Sequence, residues 1–406
     1  MDKLKFCLVT NWYPPDNFAG SGIYLYHLAH ALVEQGHEVT VVYCRESFQI
    51  RSKGRSQKDM PQDSRIKIIR VESPFGALAP LAVHQTGRPL FNAPRLKEIL
   101  NEDFDVINYN NISLMGGPKV YQYGKAVKIA TLHDYWLLCP ISSLFKFKKN
   151  VCRKKSCFLC SIYSGKPPQL WRYTSLLKKS LSHIDAFISP SKFLKSLHIK
   201  QGVGGPFFHI PYLIKPMVSE NEENEERPYD KPYFLFAGRL ERIKGVQEII
   251  PAFKHGEFGP LLIVGDGSYR NELEKLSNGS KHVVFLGYVN QKELMRYYRG
   301  ALAVIVPSIW YDNYPLVICD ALSTGVPIIA RDIAGPAELV RESGAGTLFR
   351  TENELKTAME EMADNAELRS TCSKRGKAFF NDNFRVEVHL SRLFSAIRQT
   401  RELKRA

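Results

Sequence analysis

The 406-residue sequence predicts an α/β protein of two domains. In both halves, apolar runs of strand length alternate with amphipathic helical segments. Between the halves, residues 216–232 are acidic, bounded by proline and poor in apolar residues, as a connection between domains would be. We therefore expect an N-terminal domain over 1–215 and a C-terminal domain over 216–384, followed by a long amphipathic helix that begins at 385.

In the first domain, the pattern alternates strands with loops and helices, and residues 45–66 are expected to form a polar, basic loop. The sequence WYPPDNFAGSG follows the first strand and can bring backbone N–H groups close to a phosphate or a sugar, Gly20 among them. The predicted strands are 4–11, 39–43, 66–72, 105–109, 127–132, 184–189 and 207–213, and the predicted helices are 23–35, 168–183 and 192–200.

The second domain repeats this order. Pro315 suits a first helical position and Gly325 suits the position just past a helix end, which delimits one of its helices. The predicted strands are 233–237, 260–264, 283–285, 301–306 and 326–330, and the predicted helices are 246–254, 268–276, 291–299, 315–324 and 385–402.

Asp312 and Asp320 stand near the start of the helix that Pro315 opens. A helix start favours an anion, and two carboxylates can accept hydrogen bonds from hydroxyl groups. Together these features suit a phosphorylated sugar. The alternative is an ordinary N-cap aspartate and a solvated helix aspartate.

Two basic residues and a histidine follow strands of the predicted sheets. Arg239 and Lys244 lie in the loop after a strand and suit a diphosphate clamp. His133 follows a strand of the first domain, where ligands bind in open α/β sheets, although a structural histidine is the alternative.

Four of the eight cysteines lie close together in the sequence. Four thiolates can close a tetrahedral zinc site, and clustering of this kind in a cytoplasmic protein favours metal over disulfides. Reduced thiols, an iron–sulfur cluster and disulfides are the alternatives. The four residues are Cys139, Cys152, Cys157 and Cys160.

The net charge of +15 comes from the first half of the chain, where residues 1–215 carry 30 Lys and Arg against 14 Asp and Glu. This excess predicts a polyanionic partner such as an anionic membrane surface, a phosphorylated substrate or nucleic acid. The alternative is a solubilising face. No apolar run reaches the length of a membrane span, and the N-terminal apolar core is too short for a signal peptide, so we expect a cytoplasmic protein.

Short motifs along nearly the whole chain occur in an order and spacing that resemble a known family. They are AGSG with LAHALVEQGHEVTVV, TLHD, ISPS, AGRLERIKG, IVGDGS, FLGYV and the segment with the two aspartates. The chain resembles the retaining glycosyltransferases of family 4, the glycogen synthase and mannosyltransferase-like group. This resemblance implies a GT-B fold, in which two Rossmann-like domains face each other across a cleft.

The resemblance also implies the roles of individual residues. His133, Arg239 and Lys244 would be catalytic, with the basic pair stabilising the diphosphate as leaving group. Asp312 would hold the hydroxyls of the donor sugar, Asp320 would hold the ribose, and helix 385–406 would pack back onto the first domain. The full set of donor-binding residues is Gly20, Gly265, Tyr288, Val289, Asp312, Asn313, Tyr314, Leu316 and Asp320.

The implied activity is transfer of a hexose from a nucleotide sugar to a glycan or lipid-linked glycan acceptor, with retention and without a catalytic metal. Such an enzyme would serve cell-surface polysaccharide synthesis on the inner face of the cell membrane, and no nucleic acid is expected. The alternatives are another GT-B enzyme such as a nucleotide-sugar epimerase, and a basic, zinc-containing nucleic-acid- or membrane-binding protein. The chain departs from the family in having Asp in place of both Glu residues and Ala19 in place of a Gly. A subset of the family carries a Cys-rich insert, as this chain does.

Overall fold

The computed structural model describes residues 3–17, 20–52, 60–216 and 229–405. The chain divides into two compact units. Unit 1 comprises Met1–Phe147, Lys154–Ile214 and Val386–Ala406, and unit 2 comprises Lys148–Arg153 and Lys215–Arg385. Residues 217–228 of the expected connection, and Ala19 of the AGSG motif, lie outside the described residues.

Unit 1 is built on a parallel sheet whose central strands are almost entirely buried and apolar, as expected for a sheet covered on both faces. The strands between Lys5 and His209 are β1 Lys5–Thr10, β2 Glu38–Cys44, β3 Ile66–Val71, β4 Val106–Tyr109, β5 Val127–Thr131, β6 Phe145–Lys146, β7 Asn150–Val151, β8 Ala186–Ser189 and β9 Phe207–His209, of which β7 lies in the segment assigned to unit 2. The sheet order of unit 1 is β3-β2-β1-β4-β5-β8-β9.

Two of the segments assigned in unit 1 differ in the structure, and the helices at 78–86, 93–100 and 157–163 were not predicted. Residues 45–52 form a helix in the segment expected to be a loop, and residues 53–59 lie outside the described residues. The helices are α1 Gly20–Glu34, α2 Arg45–Ser52, α3 Leu78–Thr86, α4 Ala93–Leu100, α5 Cys157–Tyr163, α6 Leu176–Leu181 and α7 Lys192–Lys200, with 3-10 turns at Pro118–Gln122 and Leu170–Tyr173.

The second difference is the predicted single helix over 168–183, which is broken between the 3-10 turn and α6. Thr174 has extended backbone angles (φ −102°, ψ 174°) and ends the turn. Its hydroxyl donates to the carbonyl of Trp171 and accepts from the amide of Leu176. Side-chain bonding of this kind competes with a continuous helix.

The C-terminal helix α15, Val386–Arg405, belongs to unit 1. His389 Nδ1 lies 2.7 Å from the carbonyl of Pro211, and its Nε2 lies 3.2 Å from the hydroxyl of Tyr24. Near the end of the helix, Arg401 pairs with Asp105 at 3.2 Å. Buried contacts at its start and an ion pair near its end therefore hold the helix to the first sheet.

Unit 2 is built on a second parallel sheet, β12-β11-β10-β13-β14-β15. Its strands are β10 Tyr233–Ala237, β11 Leu261–Val264, β12 Val283–Gly287, β13 Ala301–Val306, β14 Ile328–Arg331 and β15 Gly346–Phe349. Its helices are α8 Ile250–Phe253, α9 Arg270–Ser277, α10 Gln291–Gly300, α11 Leu316–Thr324, α12 Ala334–Ser343, α13 Glu352–Asp364 and α14 Ala366–Phe384.

The two parallel sheets with helices confirm the predicted α/β class. The sequence analysis assigned no element between 331 and 384, where the structure has β15 and three helices. None of the helices in the described part of the chain combines the length and the apolar composition that a membrane span requires.

Candidate functional site

Three glycines end three neighbouring strands of the second sheet and bring their backbones into close contact. Gly238, Gly265 and Gly287 follow or end β10, β11 and β12, with φ of 147°, 126° and 70°. The amide of Gly238 donates to Val264, and the amide of Gly265 donates to Gly287. A Cβ on Gly265 would lie 2.0 Å from the carbonyl oxygen of Gly238. Side chains are thereby kept away from this sheet edge, where ligands bind in open α/β sheets.

A second glycine contact positions Lys244. Lys244 ends the 3-10 turn Arg242–Lys244, and Gly245 follows it with φ 79°. A Cβ on Gly245 would lie 2.0 Å from the carbonyl oxygen of Pro307, and the amide of Ile309 donates to Ile243 at 3.0 Å. The loop of Lys244 is therefore held directly against the loop that follows β13.

This contact between the two loops brings Lys244 and Asp312 together as an ion pair. Lys244 Nζ lies 2.6 Å from Asp312 Oδ2, and the two side chains are 22% and 10% exposed. The hydroxyl of Ser308 donates to the same carboxylate oxygen at 3.4 Å, and the Lys244 ammonium lies 5.8 Å from the centre of the Trp310 ring. A largely buried ion pair thus stands immediately before helix α11.

The loop between Asp312 and α11 packs against Gly335, which lies in the first turn of α12. The amide of Gly335 donates to the carbonyl of Asp312 at 3.1 Å, and a Cβ there would lie 2.1 Å from the carbonyl oxygen of Asn313. Pro315 is the residue just before the helix rather than its first residue, because its ψ of 109° is extended. Asn313 and Tyr314 are buried.

Asp320 lies one turn into α11 and is half-buried. Burial raises the pKa of its carboxyl to about 7, because removal from water disfavours the charged form. The half-buried side chain is therefore less solvated than that of a fully exposed helix aspartate. Gly325 ends the helix with φ 75°, as predicted.

Four further predicted residues of unit 2 are exposed or half-buried. Arg239 is 70% exposed and pairs with Glu241 at 2.9 Å, so the structure places the two cations of the predicted clamp on different carboxylates. Tyr288 is 85% exposed and follows Gly287, with Val289 half-buried beside it. Leu316, at the start of α11, is 37% exposed.

In unit 1, His133 is held in one orientation by two side chains. Its Nδ1 lies 2.7 Å from the hydroxyl of Tyr212 and its Nε2 lies 2.8 Å from Asn110 Oδ1. The amide group of Asn110 donates to the carbonyl of Asn108, so its oxygen faces the histidine and accepts from Nε2–H. Burial lowers the pKa of His133 to about 3, so the ring is neutral near pH 7.

Gly20 begins helix α1 and is exposed. The neighbouring Ser21 hydroxyl accepts from Asn111 Nδ2 at 2.8 Å. A Cβ on Gly22, the second glycine of the AGSG motif, would lie 2.1 Å from Asn17 Oδ1, so a larger residue there would displace the Asn17 side chain. Small residues thus let the preceding loop approach the helix start closely.

The four clustered cysteines are free thiols. Cys139 and Cys160 are buried, and Cys160 Sγ accepts from the amide of Phe147 at 3.4 Å. Burial, with the nearby Cys139 thiol next in importance, raises the pKa of Cys157. Within residues 3–17, 20–52, 60–216 and 229–405, no three His, Cys, Asp or Glu side chains are grouped so that they could hold a metal ion. The conformation described here therefore does not assemble the expected zinc site, and the zinc hypothesis stays a prediction.

Sequence reasoning missed the residues that hold the candidate site in place. Tyr212 and Asn110 orient His133, and Gly245 and Gly335 fix the loops of Lys244 and Asp312. A signal for Gly245 was present, because it stands beside the predicted site residue Lys244. Gly335 lies in the first turn of α12, in a segment where the sequence analysis assigned no element. The partners of His133 are distant in sequence and gave no local signal.

The fold and the comparisons define the class of protein. Two parallel-sheet units of this kind are the GT-B architecture. The sucrose-phosphate synthase of Thermosynechococcus elongatus has the same fold, with a TM-score of 0.68 at 18% identity over 97% of this chain and 98% of that one. The HepE protein of Anabaena, solved in complex with UDP-glucose, gives 0.67 at 17% identity over 97% and 99%.

Two family models match consecutive parts of the sequence. The one described as Glycosyltransferase Family 4 matches residues 18–213, and the one described as Glycosyl transferases group 1 matches residues 218–379. A glycosyltransferase of Methanocaldococcus jannaschii is 24% identical in an alignment of length 373 that covers 84% of each chain. A protein of the cps region of Klebsiella pneumoniae is 24% identical over 83% of this chain and 88% of its own. The chain belongs to the GT-B glycosyltransferases.

Replacing Gly335 with Ala should lower the melting temperature, because the new Cβ would overlap the backbone of Asn313. Overpacking of this kind costs about 1–3 kcal/mol. The control is Gly204→Ala, since a Cβ there meets no atom within 4 Å. Thermal unfolding followed by circular dichroism compares the two variants, and equal melting temperatures would contradict this account of the loop.

Asp320→Asn should stabilise the protein increasingly as the pH rises from about 4 to 7. Below pH 4 the carboxyl is protonated in both the folded and the unfolded chain. Above it the unfolded chain loses its proton first, since the ordinary pKa of Asp is about 4, whereas the folded pKa is about 7. The wild type therefore loses stability across this range and the variant does not. Melting temperatures between pH 4 and 8 test this, with the exposed Asp382→Asn as control. A difference that is independent of pH would show that burial does not shift the carboxyl.

Metal analysis tests the cysteine hypothesis. Protein purified without chelators should contain about one zinc per chain, and the Cys157→Ser variant should contain less, because structural zinc uses four ligands. Zinc absent from the wild-type protein would rule the site out.

Proposed function

We propose that this glycosyltransferase moves a hexose from a nucleotide-sugar donor to a glycan or lipid-linked glycan acceptor, with retention of the anomeric configuration. The observation that carries this proposal is the buried Lys244–Asp312 pair at the start of α11. It offers a cation for the diphosphate and a carboxylate for sugar hydroxyls at the place where a helix start favours an anion. The related Anabaena fold is described in complex with UDP-glucose, which is a donor of this class.

In the proposed reaction, the bond between the anomeric carbon and the diphosphate oxygen breaks while the acceptor hydroxyl attacks on the same face. The hydroxyl proton passes to the departing diphosphate. Lys244 and Arg239 stabilise the negative charge that develops on this leaving group, which is the large electrostatic contribution in such sites. No metal takes part in this scheme.

The remaining residues bind and orient the substrates. Asp312 accepts from hydroxyls of the sugar, the backbone of Asn313, Tyr314 and Leu316 faces the phosphates, and Asp320 accepts from the ribose. Gly20 and Gly265 leave room for the donor, and Tyr288 and Val289 line the pocket for the base.

His133 is neutral and positions the sugar rather than supplying a charge. A neutral imidazole held by Tyr212 and Asn110 keeps a fixed orientation toward its ligand. Both ring nitrogens lie at hydrogen-bond distance from these partners, so a sugar hydroxyl that bonds to the ring would replace one of them. The low pKa of His133 disfavours a role as an acid near neutral pH.

We place the acceptor at an anionic membrane surface in cell-surface polysaccharide synthesis, on the cytoplasmic side. The support is the basic excess in residues 1–215 together with the exposed apolar side chains of unit 1. One protein of the same fold, with a TM-score of 0.59 at 15% identity, is described as involved in lipopolysaccharide biosynthesis.

The test begins with a panel of nucleotide sugars screened for thermal stabilisation, and the stabilising donor is then incubated in radiolabelled form with membrane lipid extract. Wild-type protein should produce labelled lipid. Lys244→Ala should lower the turnover by about 10²–10³-fold, in line with loss of one stabilising group of the transition state, and Lys244→Arg should retain more activity because it keeps the charge.

Lys281→Ala is the matched control, since Lys281 is an exposed lysine of unit 2 away from the ion pair. Labelled lipid formed by Lys244→Ala at the wild-type rate would overturn the assignment of Lys244. Donor epimerised without any labelled product would favour the epimerase in place of the transferase.

A further inference from the structure

Unit 1 contains a cavity of about 780 Å³ that none of the proposed donor-binding residues lines. Its walls come from the chain after His133, from α5, from α6 and from the loop at 201–205. The volume lies within the range of roughly 300–1,000 Å³ that is usual for ligand sites. The cavity therefore has room for a ligand of its own.

The inner wall of the cavity is predominantly apolar. Leu137, Leu138, Leu177, Leu181 and Ile184 contribute to it. A ligand that buries its own apolar surface against this lining is bound favourably, because that surface leaves water. The ligand that suits it carries a hydrocarbon chain.

Positive charge also lines the cavity. The exposed Lys155 and Lys178 belong to the lining, and Arg172 is fixed there by bonds from its guanidinium to the carbonyls of Trp136 and Leu137. Arg172 also stacks on the Trp171 ring, with 4.6 Å between the guanidinium carbon and the ring centre. No Asp or Glu is among the lining residues. The lining therefore complements an anionic group.

The surface beside the cavity is unusually apolar. Of the sixteen large hydrophobic side chains that are exposed in the described part of the chain, eleven lie in 75–91 or 158–173. The two segments are joined where Trp171 Nε1 donates to the carbonyl of His84 at 2.9 Å. Exposed apolar side chains beside basic residues are typical of surfaces that enter a membrane interface. The eleven are Phe75, Leu78, Leu81, Leu90, Phe91, Phe158, Leu159, Ile162, Tyr163, Leu170 and Tyr173.

We propose that this cavity binds the lipid anchor of the acceptor, with its hydrocarbon chain between α5 and α6 and its phosphate against Lys155, Arg172 and Lys178. This inference rests on the proposed function, since it takes the acceptor to be lipid-linked. In this proposal the exposed apolar surface contacts the membrane, and the hydrocarbon chain of the lipid passes along it into the cavity. The Cys-rich segment, which forms one wall through Cys157 and Phe158, thereby acquires a role in choosing the acceptor.

Isothermal titration of the full-length protein with farnesyl phosphate tests this site without any transfer reaction. The wild type should bind farnesyl phosphate at least about tenfold more tightly than farnesol or inorganic phosphate, because each of these lacks one half of the ligand. Gly204 lines the cavity, and a Cβ there meets no atom within 4 Å. Leu177→Gln, which puts a polar group into the apolar lining, should weaken binding by about tenfold or more, and Gly204→Ala should bind as the wild type does.

A charge reversal separates the two parts of the ligand. Lys178→Glu should weaken the binding of farnesyl phosphate and leave the binding of farnesol unchanged, whereas Lys374→Glu, on an exposed position of α14, should change neither. Wild-type protein that binds no farnesyl phosphate, or Leu177→Gln that binds it normally, would overturn the proposal. If inorganic phosphate binds as tightly as farnesyl phosphate, the site recognises only an anion, and this result would also overturn the proposal.

The nucleotide-sugar screen distinguishes failure of this site from failure of the proposed function. A protein that is stabilised by a nucleotide sugar and transfers it, yet binds no farnesyl phosphate, retains the transferase function without the lipid site. A protein that binds farnesyl phosphate and no nucleotide sugar retains the lipid site while the proposed reaction fails.

Discussion

The candidate site of unit 2 depends on the ion pair between Lys244 and Asp312. Both side chains are largely out of water, and removing one partner of such a pair typically costs about 3–5 kcal/mol because the other charge is left buried. The pair joins the loop after β10 to the loop before α11, so it fixes a cation and a carboxylate together at one helix start. In a nucleotide sugar, the negatively charged diphosphate can bind the cation, and the sugar hydroxyls can donate hydrogen bonds to the carboxylate.

Close backbone contacts make this pair possible. Gly245 and Gly335 each approach a backbone carbonyl to a distance that no side chain would permit, the first at Pro307 and the second at Asn313, on the two sides of Asp312 in the sequence. Glycine loses more conformational entropy on folding than other residues, so glycine at these two positions lowers the stability of the fold unless a close backbone contact requires it. The loops of the site are therefore rigidly supported by backbone packing, and the charged groups are placed by that packing.

Burial shifts the pKa of one titratable side chain in each unit. It raises the pKa of Asp320 toward neutrality and lowers that of His133 well below it, so both groups are drawn toward their uncharged forms near pH 7. The charged groups of the site are then Arg239 and the Lys244–Asp312 ion pair. The cavity of unit 1 follows a different pattern, with apolar walls and positive charge, and suits a ligand of another kind.

The sequence by itself determined the α/β class, most strands, the end of α11 at Gly325 and the motifs that carry Asp312, Lys244 and His133, because these signals are local in the chain. It gave no assignment for 334–384 and joined the 3-10 turn and α6 into one helix, since a hydrogen-bonding side chain at Thr174 can end a helical pattern that periodicity alone continues. Only the tertiary structure decided that Lys244 meets Asp312, that Tyr212 orients His133 and that Arg239 faces Glu241. These partners are far apart in the sequence or depend on the direction of a side chain, and burial, which sets their pKa values, exists only once the chain has folded.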